Sequence, residues 1–194
     1  MGSGVSGHDG WPAVPLTVKV RPAVPTDAKD VAAIHVRSWQ AAYPGLIPQD
    51  YLDDLDPADR LPAWQAIFSA TDWPSAGTLL LVDAGETVGF CHLSPSRDAD
   101  TDPRTTGEVQ SIYLAPEAWG RGGGALLLGA AVDRLAEAGF SSAVLWVLRE
   151  NDRARRFYDH LGWGPDGTSK LHHWGSFDAT DLRYRRYLPP EPGP

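Results

Sequence analysis

The spacing of hydrophobic and polar residues predicts strands and helices of distinct kinds in the first half of the chain. Residues 17–21 alternate as a short strand, and residues 78–83 and 87–94 form two more strands joined by a tight turn. Between them, residues 49–69 form a helical region that prolines interrupt. The first helix shows one apolar face, with residues three or four positions apart at Ala28, Val31, Ala32, His35 and Trp39. This half therefore predicts helices packed beside an antiparallel hairpin.

The second half predicts a pair of parallel strands joined through a helix. A strand over residues 108–114 precedes a glycine-rich turn and a long helix that ends near Gly139, and the next strand, residues 143–148, is apolar on both faces. Strands buried on both faces are typical of parallel sheets. A short helix over 152–161 and a strand over 182–188 follow. We expect a single α+β domain with a mixed sheet of about six to seven strands, antiparallel in its N-terminal part and parallel at its centre, flanked by about four helices.

Length and charge limit the classes of partner. The 194 residues fit one domain, residues 16–188, with a loose leader over 1–15 and a proline-rich tail over 189–194. The net charge of −8 argues against nucleic acid or an anionic membrane as the main partner. An anionic ligand would need a local basic patch, and four arginines lie close together in the sequence, at Arg149, Arg153, Arg155 and Arg156.

The cysteine content and hydropathy favour a cytoplasmic protein. Cys91 is the only cysteine, which excludes an intrachain disulfide and a cysteine-based zinc site. No apolar run is long enough for a membrane helix, and the N-terminus lacks a secretory signal pattern. His172 and His173 are without the helical spacing of a zinc site, so we interpret them as part of a surface loop and expect no metal. A homodimer is an open alternative.

The most informative segment is a glycine-rich turn at the start of the long helix. Residues 119–125 read Trp-Gly-Arg-Gly-Gly-Gly-Ala. Such a turn exposes backbone N–H groups, and the following helix adds its own unpaired N–H groups and the positive end of its dipole. We expect an anion here, because a helix start has no evident structural need for so many glycines; a merely flexible loop is the competing interpretation. The predicted contacts are Gly120, Arg121, Gly122, Gly123, Gly124 and Ala125.

With its elements in this order, the chain resembles the GNAT superfamily of acyl-CoA-dependent N-acyltransferases over nearly all of residues 17–188. Gly122 and Gly124 match the glycines of that family's phosphate turn, while Trp119 stands where the family usually has Gln or Arg. The family's second signature is matched by residues in and around the short helix, at Asn151, Ala154, Phe157, Tyr158, Leu161, Gly162 and Trp163. The resemblance implies the acyl-CoA N-acyltransferase fold and acetyl-CoA as acyl donor.

The resemblance also implies roles for individual residues. Its fold implies two central strands that splay apart, so that backbone groups of Ile112, Tyr113 and Leu114 pair with pantetheine. Asn151 and Arg155 are the further predicted cofactor contacts. In this family an amine of a small molecule or peptide attacks the thioester directly, and Tyr158 matches the position of the acid that protonates the leaving thiolate.

Three site assignments are left open by the sequence. Glu108 is a candidate general base, but a carboxylate there is equally an exposed strand end. Trp39 and Tyr43 could wall the acceptor pocket, although aromatic residues at helical spacing are more often part of a core. Tyr158 itself could be a core aromatic residue.

Two other functions compete with acyl transfer. Gly120, Gly122 and Ala125 also satisfy the dinucleotide-binding pattern Gly-x-Gly-x-x-Gly/Ala, although the glycines begin five residues beyond Leu114 and only one crossover is evident. The second alternative is an acyl-CoA-binding sensor that has the fold but does not turn over its ligand.

Overall fold

A computed structural model describes residues 18–174 and 177–188. Within them the chain forms one seven-stranded sheet in the order β1-β2-β3-β4-β5-β7-β6. Only β4 and β5 pair in parallel; the other neighbours are antiparallel. The strands are β1 Lys19–Pro22, β2 Gly77–Asp83, β3 Glu86–Pro95, β4 Thr106–Leu114, β5 Ser142–Leu148, β6 Gly164–Trp174 and β7 Phe177–Tyr187. The expected mixed sheet with a parallel centre is confirmed.

The helices number five in the described residues, one more than expected. They are α1 Ala28–Ala42, α2 Gln49–Asp53, α3 Pro57–Ser69, α4 Gly123–Glu137 and α5 Asp152–His160. The extra helix arises because the region predicted over 49–69 divides before Pro57. Asp56 accepts a hydrogen bond from the Ala58 N–H and so caps a new helix, with Pro57 as its first residue. Pro62 lies inside that helix without ending it.

The two faces of the sheet carry separate hydrophobic cores. Along β2, Leu79 and Leu81 pack with α4, whereas Leu80 and Val82 pack with α1 and α3, as the alternation of side chains along a strand requires. A third, smaller cluster joins Leu148 at the end of β5 to α2 and the loop before it. The sheet therefore separates a face covered by α4 and α5 from a face covered by α1, α2 and α3.

The topology argues against the dinucleotide-binding alternative. A doubly wound dinucleotide fold repeats parallel crossovers on both faces of its sheet. Here the described strands contain one parallel pair, β4 and β5, and α4 is the helix between them. No helix in the described ranges is long and apolar enough to cross a membrane.

Candidate active site

The centre of the sheet opens where β4 parts from β5. The parallel pairing ends at Val109 and Leu145, so within the described ranges residues 110–114 of β4 have no strand partner on that side. The register with β3 shifts at the same place, since His92 pairs with Ser111 but Leu93 with Val109. Gln110 is thus the extra residue of a β-bulge, which bends a strand and increases its twist. A gap results between the two central strands.

Alternate backbone groups of β4 face this gap. The Ala115 N–H donates to the Val88 carbonyl on β3 over 2.9 Å. Hydrogen-bonding direction alternates along a strand, so Tyr113 also directs its backbone groups to β3, while those of Ile112 and Leu114 point into the gap. The Leu114 carbonyl already accepts from Ser38 Oγ at 2.7 Å and from Trp119 Nε1 at 2.8 Å. In the described residues, the backbone groups of Ile112 and the Leu114 N–H therefore face the gap without a strand partner.

Each glycine of the turn has a structural reason, which corrects the expectation that a helix start does not need them. Gly120 and Gly122 have φ angles of 73° and 82°, a region that favours glycine. A Cβ on Gly123 would lie 2.6 Å from Leu81 Cδ2, and one on Gly124 would lie 3.3 Å from Phe157 Cζ. The number of glycines is therefore not in itself a sign of an anion.

The geometry of the helix start is what supports an anion site. Gly122 is the residue before α4, and no side chain caps the helix there among the described residues. The first N–H groups of α4, at Gly123, Gly124 and Ala125, precede the intrahelical hydrogen bonds and point outward from the helix end. The turn thus offers several unpaired donors and the positive end of the α4 dipole at one place.

Three arginines near this helix start have different surroundings. Arg121 forms an ion pair with Asp83 over 3.2 Å, and Arg155 donates to the Tyr184 hydroxyl and to the Arg149 carbonyl. Both residues were predicted cofactor contacts. Arg153, for which the sequence predicted no individual role, lies over the Trp119 ring, with its Cζ 4.1 Å from the ring centroid. No local spacing signals that contact, because it joins α5 to the turn before α4.

The start of α5 is fixed by Asn151. Its Oδ1 accepts a hydrogen bond from the Ala154 N–H over 3.0 Å, the usual role of an asparagine before a helix. This cap orients α5 so that Phe157 packs against the turn at Gly124. Asn151 therefore has a structural role beside its predicted contact with the cofactor.

Tyr158 belongs to a group of three phenols, of which Tyr158 is buried and Tyr43 and Tyr113 are half-buried. Burial raises the pKa of Tyr158, and the neighbouring Tyr113 and Cys91 raise it further. The Tyr113 and Tyr43 hydroxyl oxygens lie 3.4 Å apart, and burial raises the pKa of both residues. All three phenols therefore stay protonated at neutral pH. Tyr158 reaches this group from α5, Tyr113 from β4 and Tyr43 from the end of α1.

Aromatic rings line the opposite face beside Tyr113. The His35 ring stacks on Tyr113 with centroids 5.2 Å apart, and Trp39 contacts Tyr43 edge-on at 5.1 Å. Trp64 Nε1 donates to His35 Nδ1 over 3.3 Å, so the His35 proton resides on Nε2. Burial, together with a smaller contribution from the charge of Arg60, lowers the pKa of His35 to about 4. His35 is a neutral member of this wall.

Glu108 is buried, so the interpretation of this residue as an exposed strand end is wrong. Only 3% of the residue is accessible. Its carboxylate accepts from the Arg97 guanidinium at 3.1 Å and 3.3 Å and from the Arg97 backbone N–H at 3.2 Å. An ammonium group can therefore approach Glu108 directly only if Arg97 moves. The alternation of polar residues along β4 gave no sign of this partner.

A second buried carboxylate, Asp181 on β7, was missed as a catalytic candidate. It is 7% accessible, and its charge raises the pKa of both Tyr43 and Tyr113. An open depression of about 510 Å³ lies nearby, lined by Gly45, Leu46, Glu150 and residues 177–180. In the described residues, no group of three or more His, Cys, Asp or Glu side chains could hold a metal ion.

The chain belongs to the acetyltransferase (GNAT) family, whose model matches residues 35–163. It is therefore an acyltransferase that carries out acetyl transfer. An uncharacterized N-acetyltransferase of Bacillus subtilis, YuaI, is 33% identical over 139 residues, which cover 69% of this chain and 73% of that protein. The mycothiol acetyltransferase of Sanguibacter keddieii is 31% identical over 156 residues, 78% of this chain but 46% of that protein.

Solved structures agree on the fold. The PaiA N-acetyltransferase of Thermoplasma acidophilum, in complex with coenzyme A, matches with a TM-score of 0.68 at 20% identity, covering 89% of this chain and 100% of that one. YncA of Salmonella typhimurium, with its cofactor acetyl-CoA, matches with a TM-score of 0.67 at 20% identity, covering 92% and 98% of the two chains.

Proposed function

We propose that this protein transfers an acetyl group from acetyl-CoA to a primary amine of a small molecule or peptide by direct attack. The observation that carries the proposal is the gap beyond Val109, which ends near the unpaired N–H groups of α4. A pyrophosphate at the turn and a pantetheine arm along β4 would bring a thioester to the three phenols. The two structural relatives that hold coenzyme A or acetyl-CoA support the same donor.

The transfer requires one bond to form and one to break. The neutral amine attacks the thioester carbonyl carbon and forms the C–N bond, and the negative charge develops on the carbonyl oxygen. The Leu114 N–H is one backbone donor that faces the gap and could stabilise this oxyanion. Collapse of the intermediate breaks the C–S bond, the nitrogen loses a proton to a base, and the thiolate takes a proton from an acid. Acetylated amine and free CoA are the products.

Tyr158 is the proposed acid. It is protonated at neutral pH and lies within electrostatic range of Tyr113 on β4, which supports this role. A cysteine nucleophile is not needed, and Cys91 is poorly suited to be one. The residue is completely buried, and burial raises the pKa of its thiol, so the thiolate is scarce.

Glu108 and Asp181 are the two candidates for the base. Glu108 lies on β4 beside the bulge but is engaged by Arg97. Asp181 lies within electrostatic range of Tyr43 and Tyr113, on the side where we propose that Trp39 and Tyr43 bind the acceptor. Comparing Glu108→Gln with Asp181→Asn separates them, because loss of the true base lowers kcat and alters the pH profile of kcat/KM, whereas loss of the other leaves that profile unchanged.

The experiment that tests the function combines binding and turnover. Calorimetry compares acetyl-CoA with NAD, and a panel of small amines and peptides is then scored by release of free CoA. We expect binding of acetyl-CoA only, and CoA release with at least one primary amine. Binding of NAD in preference would contradict the proposal, and binding of acetyl-CoA without turnover of any amine would favour a sensor. The absence of a nucleic-acid partner and the homodimer stay predictions, which gel-shift and light-scattering measurements would check.

A further inference from the structure

Trp119 occupies the position at which related turns usually carry Gln or Arg. The N–H group of its indole ring already donates a hydrogen bond within the protein. The indole has one donor, Nε1–H, and that donor bonds the Leu114 carbonyl over 2.8 Å. The Trp119 side chain therefore cannot donate a hydrogen bond to a phosphate without breaking this contact. A pyrophosphate bound at the turn would lose the side-chain donor that Gln or Arg provides.

The Arg153 side chain, which belongs to α5, extends to the turn that contains Trp119. The Arg153 guanidinium lies on the face of the Trp119 ring at 4.1 Å, within the range of a cation–π interaction. Phe157, four residues further along α5, packs against Gly124 of the turn. Residues four apart share one face of a helix. One face of α5 therefore lies along the glycine turn and directs Arg153 toward it.

Arg153 also differs from Arg121 and Arg155 in its charge partners. Arg121 is paired with Asp83, and Arg155 lies near Asp152 at 3.5 Å and donates to Tyr184. In the described part of the chain, Arg153 lies within ion-pair distance of no carboxylate. Its charge is therefore available to an anion at the start of α4, in a chain whose net charge is −8.

We propose that Arg153, held on the Trp119 ring, is the side-chain ligand of the acyl-CoA pyrophosphate. Trp119 is then a positioning residue: its ring face holds Arg153 and its Nε1 holds the Leu114 carbonyl. The side-chain donor that related turns supply from the turn itself is supplied here by α5. The inference rests on the proposed function, because it requires acyl-CoA to bind at this turn.

Calorimetry with CoA tests the proposal. A guanidinium–phosphate hydrogen bond is charge-assisted, so we expect Arg153→Ala to raise the Kd for CoA about tenfold. The matched control is Arg134→Ala, since Arg134 also lies over a tryptophan, Trp73, at 6.0 Å, but in the last turn of α4. We expect the control to change the Kd less than twofold. Equal effects of the two variants would overturn the proposal.

Dephospho-CoA, which lacks the 3′-phosphate, identifies the phosphate that Arg153 contacts. If Arg153 binds the pyrophosphate, Arg153→Ala weakens binding of dephospho-CoA by the same factor as binding of CoA. A loss seen only with CoA would assign Arg153 to the 3′-phosphate and overturn the proposal. If the wild-type protein does not bind CoA, the proposed function fails; if it binds CoA and Arg153→Ala is silent, only this inference fails.

Substitutions at Trp119 test the positioning role. Trp119→Ala removes the ring, and we expect it to weaken CoA binding without adding to the effect of Arg153→Ala in the double variant. Trp119→Phe keeps a ring face for Arg153 and should restore most of the affinity. Fully additive losses, or no rescue by phenylalanine, would show that Trp119 does not act through Arg153. Thermal melts of each variant establish that it is folded.

Discussion

The two halves of the candidate site, one proposed for the cofactor and one for the acceptor, present different kinds of groups to a ligand. The cofactor half, made of β4, the glycine turn, α4 and α5, presents backbone N–H groups and one strand edge. The acceptor half, made of α1 to α3 and the sheet face they cover, is a cluster of rings around His35, Tyr113 and Trp64. We propose that the pyrophosphate and pantetheine of acyl-CoA are bound mainly by backbone groups, with Arg153 as a side-chain ligand, whereas the proposed acceptor pocket presents mainly side chains. We therefore expect substrate specificity to reside in the side chains of the proposed acceptor half.

The largest expected effect concerns stability between pH 6.5 and 4, to which two histidines of the proposed acceptor half contribute. Burial lowers the pKa of both His35 and His92 to about 4, from 6.5. Because the folded pKa lies below the unfolded one, their contribution is complete above pH 6.5 and is lost as the pH falls toward 4. Each histidine accounts for on the order of 3 kcal/mol at full extent.

Urea unfolding between pH 7.5 and 4.5 measures this loss. We expect His35→Phe, which keeps an aromatic ring in place, to reduce the slope of stability against pH, even though Trp64 Nε1 loses its acceptor. An unaltered slope in His35→Phe would refute the assignment of acid sensitivity to that ring.

Tyr158→Phe should separate binding from chemistry. Removing a general acid typically lowers the rate about 10²-fold or more, so kcat should fall by that order while the Kd for CoA stays within about twofold. Stopped-flow detection of free thiol and calorimetry measure the two quantities. The control is Tyr184→Phe, because Tyr184 is also buried and its ring centroid lies 6.2 Å from that of Tyr158. It shows whether removing any nearby phenol hydroxyl has the same effect. Equal activity in Tyr158→Phe and wild type would exclude the acid role.

Two alanine substitutions in α4 should have opposite signs. Gly123→Ala places a Cβ 2.6 Å from Leu81 Cδ2, and Leu81 is 1% accessible and cannot easily move. Overpacking of this kind costs about 1–3 kcal/mol. Gly129→Ala meets no atom within 4 Å and should stabilise the helix by up to ~1 kcal/mol. Denaturant melts check both signs, and destabilisation by Gly129→Ala would mean that the space beside it is not open.

The smallest effect is expected where the two halves meet. Ser38 on α1 and Trp119 before α4 both donate to the Leu114 carbonyl. Ser38→Ala leaves that oxygen with its second donor, so the free energy of unfolding should fall by only about 1 kcal/mol. The KM for acetyl-CoA should change less than twofold. A loss well beyond this in urea melts would mean that Trp119 does not compensate.

The local structure of the proposed cofactor half could be predicted largely from the sequence, because its signals are local. The turn over 119–125, the helix after it and the cap at Asn151 are each encoded within a few residues. The reason for Gly123 and Gly124 could not be seen, since it depends on Leu81 and Phe157, which are distant in the sequence.

The contacts within the proposed acceptor half, and the burial of Glu108 beside Arg97, could not be predicted from the sequence. The partner of Glu108, Arg97, lies in the loop before β4, and hydrogen-bond partners of this kind follow from loop geometry, not from periodicity. Asp181 approaches Tyr43 only because β7 inserts between β5 and β6. The α3 boundary at Pro57, by contrast, was encoded by Asp56 and could have been recognised as a capping signal.

The bulge at Gln110 has a consequence for how deeply a ligand can reach. A strand advances about 3.3 Å per residue, so shifting the extra residue two positions along β4 would move the opening by about 7 Å. That distance exceeds the length of an acetyl group. If the donor is anchored at the glycine turn as proposed, the position of the extra residue Gln110 determines how far along β4 the gap begins. It thereby determines whether the thioester lies beside the rings of α1 or ends short of them.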